Sequence, residues 1–148
     1  MELRNFADTG IKVSTLGFGA GQIGDHSISE IEIEKILNTI LDYGINLIDT
    51  ARSYGCSEER IGRHLSHRRS EFILSTKIGY GIEGYKDWTY DCITAGIETA
   101  LQTLRTDYID IVHFHSCPIE TLQNTNVIEA LNKAVEAGKV RVAAYSGK

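Results

Sequence analysis

The chain of 148 residues predicts an α/β fold built on a parallel sheet, and three observations carry that prediction. Short apolar runs alternate with stretches of helical periodicity along the whole length. Capping residues and glycines punctuate most of the helical stretches. The single proline and a charged content of 24% match an ordinary globular domain. Strands that alternate with amphipathic helices pair in parallel, with the helices laid against the sheet.

Each element has its own signal. Glu2 to Phe6 and Lys12 to Ser14 flank the turn residues Asp8-Thr9-Gly10, which predicts a small N-terminal hairpin. Leu16 to Ala20 is a short glycine-rich strand. Gly17, Gly19, Gly21 and Gly24 let the backbone approach something closely. Their spacing is not G-x-G-x-x-G opening a helix, so the phosphate signal is weak. Ser29 and Glu32 have capping-box spacing, and Ile33, Ile36, Leu37, Ile40 and Leu41 share one helical face. Gly44 ends that helix. A second buried strand, Asn46 to Thr50, leads into a helix over Ser57 to Leu65. Glu58 and Glu59 suit that helix's first turn through the helix dipole. Phe72 to Ile78 is the third strand. A loop rich in glycine and aromatics, Gly79 to Trp88, then reaches the cap Thr89. The next helix buries Ile93, Ile97, Ala100, Leu101 and Leu104. Tyr108 to Phe114 is the fourth strand, ending in His115. The last helix shows Val127, Ile128, Leu131, Ala134 and Val135 on one face and stops at Gly138. Val140 to Tyr145 is the fifth strand.

Composition narrows the function classes. A formal net charge of -5 argues against a nucleic-acid surface. No run of about 18 apolar residues predicts a membrane span. The N-terminal MELRNFADTG lacks the pattern of a signal peptide. Cys56, Cys92 and Cys117 show no C-x-x-C spacing, so a reducing, cytoplasmic setting is the expectation.

The polar residues that carry chemistry gather around NLIDTARSYG, residues 46–55. Parallel sheets bind ligands at the carboxyl ends of their strands. Asp49, Lys77 and His115 all fall at those ends. Alternation along a strand puts Ser75 with Lys77 and His113 with His115. If those faces line a barrel, acid, amine and imidazole meet, and Tyr54 reaches them from its loop. A free phenol has a pKa of about 10, and an adjacent ammonium lowers it. Such a phenol could protonate a carbonyl oxygen while a hydride reaches the carbon. No side chain supplies a hydride, so a cofactor is required. Taken singly, each residue has an ordinary reading. Tyr54 would pack on the surface, Lys77 would be solvated, Asp49 would cap a turn, and His115 would be a satisfied polar group.

Five segments together resemble the aldo-keto reductases: TGIKVSTLGFGAGQIG, NLIDTARSYGCSEERIG, FILSTKIG, DYIDIVHFHSC and ALNKAVEAGKVRVAAYSG. The resemblance spans essentially the whole chain. It implies residues 1–148 as one partial (β/α)8 TIM-barrel domain, with NADP(H), or NAD(H), as cofactor and a small carbonyl or alcohol as substrate. It implies Tyr54 as general acid/base, supported by Asp49 and Lys77, with His115 orienting the carbonyl. Ser146, Ala20, Gln22 and Asp49 fall at cofactor positions. Trp88 either walls the substrate pocket or closes the barrel mouth. Gly147 stands where the family commonly has asparagine, and His113 where it has an apolar residue or glutamine.

Two alternatives come from other classes. His113 and His115 form an H-x-H pair, half of a metal site for a barrel hydrolase. A non-catalytic interaction module is the other. A (β/α)8 barrel takes about 250 residues, so five strands and four helices predict an incomplete barrel. Its first and fifth strands would be open edges suited to self-association, and the chain alone would turn over poorly.

Overall fold

Helix-facing positions on five short strands are nearly all apolar, and that pattern lays one layer of helices on one sheet. The computed structural model describes Met1 to Gly147. A separate antiparallel hairpin comes first, β1 (Leu3–Asn5) with β2 (Lys12–Ser14). The main sheet follows as β3 (Gly17–Gly19), β4 (Leu47–Asp49), β5 (Ile73–Ile78), β6 (Ile109–His115) and β7 (Val140–Ser146). All four pairings are parallel, in sequence order. Among the described residues β3 and β7 are outer strands, so the sheet is an incomplete barrel.

The helices are α1 (Glu30–Asp42), α2 (Ser57–Leu65), α3 (Tyr90–Thr103), α4 (Ile119–Asn124) and α5 (Val127–Glu136). Ser29 and Glu32 form the expected capping box on α1, and Gly44 leaves it at φ +82°. Thr89 caps α3 by accepting from the Cys92 N–H at 3.2 Å. The core joins Ile33 and Leu37 of α1, Ile93 and Ile97 of α3, and Leu131 of α5. From the sheet it takes Ile48, Leu74, Val112 and Phe114.

Several expectations change at the margins. Ile36 and Ile128 are exposed rather than buried, because each lies at the edge of its helix's apolar stripe. The short helix α4 and a 3-10 turn over Ser66–Glu71 occupy stretches read as connections. β1, β3 and β4 are shorter than expected by one residue at each end and β5 by one at its start, whereas β6 and β7 run one residue further, to the paired His115 and Ser146. Glu58 lies in the first turn of α2, as expected, and is buried there. It is 7% exposed and accepts a 2.5 Å hydrogen bond from Thr76 of β5. No helix among the described residues is long and apolar enough to cross a membrane.

Two backbone contacts fix the turn after β4. Gly24 lies flat against the turn, and a Cβ there would collide with the Tyr54 carbonyl oxygen. Gly55, at φ +54°, would collide in turn with the Gly24 carbonyl. Arg60 of α2 is buried and fastens the other side. Its guanidinium donates to the carbonyls of Ile23, Asp25 and Ile28 and to Glu30. Hydrogen bonds from His64 and Arg60 hold the Glu30 carboxyl at about 2. Gly24→Ala is therefore expected to cost about 1–3 kcal/mol, the usual range for overpacking. A thermal melt checks this, and an unchanged Tm would show that the turn can move without loss.

Candidate active site

Three strand tips and one turn build the site. Asp49 ends β4, Lys77 is the last residue but one of β5, and His115 ends β6. Ile48, Leu74, Val112 and Phe114 take the helix-facing positions. Alternation then sends Asp49, Ser75, Lys77, His113 and His115 to the opposite face. Register places Asp49 beside Ser75, Lys77 beside His113, and His115 beside Ser146.

Lys77 is the most enclosed charge here. Its side chain is 10% exposed, against 41% for Asp49. The ammonium donates to Asp49 Oδ2 at 2.7 Å and to the Thr50 carbonyl at 2.8 Å. Ser75 Oγ donates to the other Asp49 oxygen at 2.8 Å. His113 Nε2 lies 3.1 Å from Ser75 Oγ. The serine proton is already engaged, so the imidazole N–H is the donor in that contact. His113 Nδ1 is buried with no hydrogen-bond partner among the described residues. Burial above all, aided by Lys77 and His115, pushes the His113 pKa down against the pull of Asp49.

Tyr54 stands over this pair. The Lys77 ammonium is 5.0 Å from the centre of its ring. The His115 ring meets the Tyr54 ring edge-on, with centroids 6.0 Å apart. Carboxylate, ammonium, imidazole and phenol thus share one place, as the strand-end positions predict. Burial, then the charge of Lys77, also moves the His115 pKa down. Beside them lies a cavity of about 190 Å³, lined in part by Arg52, Ser53, Lys77, Tyr80 and His115.

The cofactor-position residues are spread across the sheet. Ala20 is fully buried past β3, with its N–H on the Asp49 carbonyl and its own carbonyl taken by Ser57 Oγ. Gln22 is exposed on the following turn. Ser146 is half-buried at the tip of β7. A Cβ at Gly147 would come within 2.6 Å of the Tyr145 hydroxyl, so a larger residue there would have to displace that ring. Trp88 does not line the cavity beside His115. It packs between Tyr80 and Phe114, with centroids 5.9 Å and 6.3 Å away. Tyr80 takes the wall position instead, and nothing in the spacing of its loop marks it. Of the H-x-H pair, His113 meets Ser75 and His115 meets Tyr80. No group of three or more metal-ligating side chains exists among the described residues, so the hydrolase reading lacks its further ligands.

A model of the Aldo/keto reductase family matches residues 15–148. The chain belongs to that family. It is 33% identical to an L-galactose dehydrogenase of Arabidopsis thaliana, over 99% of this chain and 49% of that protein. It is 34% identical to a probable voltage-gated potassium channel subunit beta of the same plant, over 93% of this chain and 44% of the other. A solved aldo-keto reductase of Bacillus halodurans, in its holo form, superposes with a TM-score of 0.88 at 32% identity. That match covers 99% of this chain and 50% of that one. The chain thus spans about half the length of the curated relatives it matches. As aldo/keto reductase barrels, these neighbours place the five strands in the first part of a (β/α)8 barrel.

The histidines of this family member make stability depend on pH. His113 titrates below its ordinary value of about 6.5 when folded, so the unfolded chain binds more protons just below that pH. Its contribution is complete above about pH 6.5 and is lost as pH falls through that window. His115 has the same sign. Glu58 has the opposite sign, because burial raises its carboxyl pKa and its contribution is lost as pH rises. His113→Gln keeps a donor for Ser75 and is expected to lose less Tm than the parent between about pH 6.5 and 5. Parallel melting curves across that range would refute the assignment.

Proposed function

We propose that this site interconverts a small carbonyl compound and its alcohol, linked to NADP(H) or NAD(H), with Tyr54 as general acid and base. One observation carries the reading. The Lys77 ammonium is held 2.7 Å from Asp49 and 5.0 Å from the Tyr54 ring centre, with His115 edge-on to that ring. The fit to a nicotinamide rests on the donor set at the strand tips. Ser146 offers a half-buried hydroxyl and Gln22 an exposed amide, uncharged groups suited to a carboxamide. Ser146, Gln22 and Asp49 would hold that end, and Ala20, buried with both backbone groups engaged by Asp49 and Ser57, would only support the turn that carries Gln22. A reduced nicotinamide, when bound, supplies the hydride that no side chain can.

The residues then divide the remaining work. His115 hydrogen-bonds the carbonyl oxygen and sets its direction. Tyr54 gives its proton to that oxygen as the carbon is reduced. Lys77 stabilises the phenolate left behind, and Asp49 with Ser75 keeps Lys77 in place. Alcohol oxidation runs the same proton back to Tyr54. The holo-form neighbour and the dehydrogenase relative support this class of chemistry. The preference for NADP(H), one partial barrel domain over residues 1–148, and a cytoplasmic setting belong to the same proposal.

The channel-subunit relative favours a second reading, in which a member of this family serves an assembly rather than turnover. The outer strands β3 and β7 would then be the pairing edges. Static light scattering separates the readings, since a clean monomer at micromolar concentration counts against edge pairing.

For the natural polypeptide carrying these residues, Tyr54→Phe is expected to lower carbonyl reduction by about 10²- to 10⁴-fold. NADPH binding should stay within a few-fold of the parent. Loss of both together would mark Tyr54 as structural. The 148-residue chain by itself is expected to bind NADPH weakly, and tight binding in a fluorescence titration would contradict this.

A further inference from the structure

The connection from β5 to α3 is built to deliver one side chain. Gly79 takes φ +142°, and a Cβ there would collide with the Trp88 indole. Trp88 itself sits at φ +58° and returns a 2.9 Å backbone hydrogen bond to the Gly79 carbonyl. Two further ties close the loop above that pillar. Arg52 donates from Nε to the Gly81 carbonyl at 3.1 Å, with a second bond from its terminal nitrogen. Asp87 accepts from the Gly81 N–H at 2.9 Å. Between these fastenings stands Tyr80.

Tyr80 touches His115 in two ways. The rings stack, with centroids 5.7 Å apart and planes at 25°. The phenol oxygen is 3.1 Å from His115 Nδ1. Ser53 Oγ approaches the same nitrogen at 3.5 Å, the outer limit of a hydrogen bond. A phenol is a far better proton donor than a neutral imidazole, and a bare imidazole nitrogen is the better acceptor. The hydrogen bond at one ring nitrogen settles which nitrogen bears the proton.

We propose that Tyr80 is a positioning residue that fixes the tautomer of His115, donating its phenol proton to Nδ1 and leaving Nε2 as the ring's N–H donor. The proposal deepens the reductase reading and rests on it where His115 is said to orient a carbonyl. His115 then serves as a fixed hydrogen-bond donor, and Tyr54 remains the group that gives up a proton. Asp49, Lys77, Tyr54 and His113 are the other titratable groups around the ring, and none of them bonds Nδ1. Tyr80 also joins Arg52 and Ser53 on the cavity wall, so the residue that sets the tautomer is a neighbour of the substrate space.

Long-range nitrogen–proton NMR of the 148-residue chain reads the tautomer directly. The parent is expected to show His115 as the Nε2–H form near pH 7.5, with Nδ1 at the position of a hydrogen-bonded acceptor. Tyr80→Phe keeps the ring and its stack, which circular dichroism can verify. In that variant the Nδ1 resonance should move toward the N–H position, and the His115 pKa should rise, because a bond to the neutral form is gone. Ser53→Ala should move neither. In the natural polypeptide, Tyr80→Phe should lower kcat for carbonyl reduction about tenfold and leave the KM for NADPH unchanged. A His115 tautomer and pKa unmoved by Tyr80→Phe would overturn the proposal, whatever the carbonyl assay gives. A tautomer shift in Tyr80→Phe, together with a natural polypeptide that reduces no carbonyl, would uphold the proposal and overturn the reductase reading instead.

Discussion

An enclosed lysine governs this structure. Lys77 carries its charge into a side chain only 10% exposed, and a charge so placed must be met by acceptors. Asp49 and the Thr50 carbonyl meet it, and both belong to the neighbouring strand and its exit. The parallel register of β4 on β5 is therefore tied to that one ammonium. A slip of either strand by one residue would turn its own charged side chain toward the helices and leave Asp49 and Lys77 without each other. Ser75 and His113 extend the same chain of hydrogen bonds across β5 to β6. Chemistry and strand pairing are thus set by the same contacts.

The opposite part of the sheet is held by a mirror arrangement of charge. Asp110 of β6 is 1% exposed and meets Arg69 and Arg141, each at 2.7 Å, together with the Leu74 N–H. That carboxylate links β5, β6 and β7. It has no part in the cavity, and its role is to fix the order of the strands that carry Lys77, His115 and Ser146.

Backbone approach matters as much as charge. Tyr54 can stand over Lys77 because Gly24 and Gly55 let two turns interlock, and because Arg60 pins the loop behind them. Tyr80 stands over His115 because Gly79 yields its Cβ space to Trp88. Two tyrosines therefore approach one imidazole from different loops, one edge-on and one face-on. Glu58, buried beneath the first of these turns, bonds α2 to Thr76 of β5 and so ties the turn to the sheet.

The order of strands and helices, the capping box at Ser29, the stop at Gly44 and the strand-end positions of Asp49, Lys77 and His115 were all written in local pattern. Helical periodicity, alternation along a strand and cap chemistry act over a few residues, so a single chain displays them. Family membership followed from motifs of the same local kind. Only the tertiary structure decided that Glu58 is buried, that Ile36 and Ile128 are not, and that Trp88 supports a loop whose Tyr80 reaches His115. Those facts depend on which side chain arrives from another element at a given ångström. Contacts between Tyr80 and His115, 35 residues apart, leave no mark in the spacing of either segment. Distance through space is set by the packing of the whole sheet, and local sequence does not encode it.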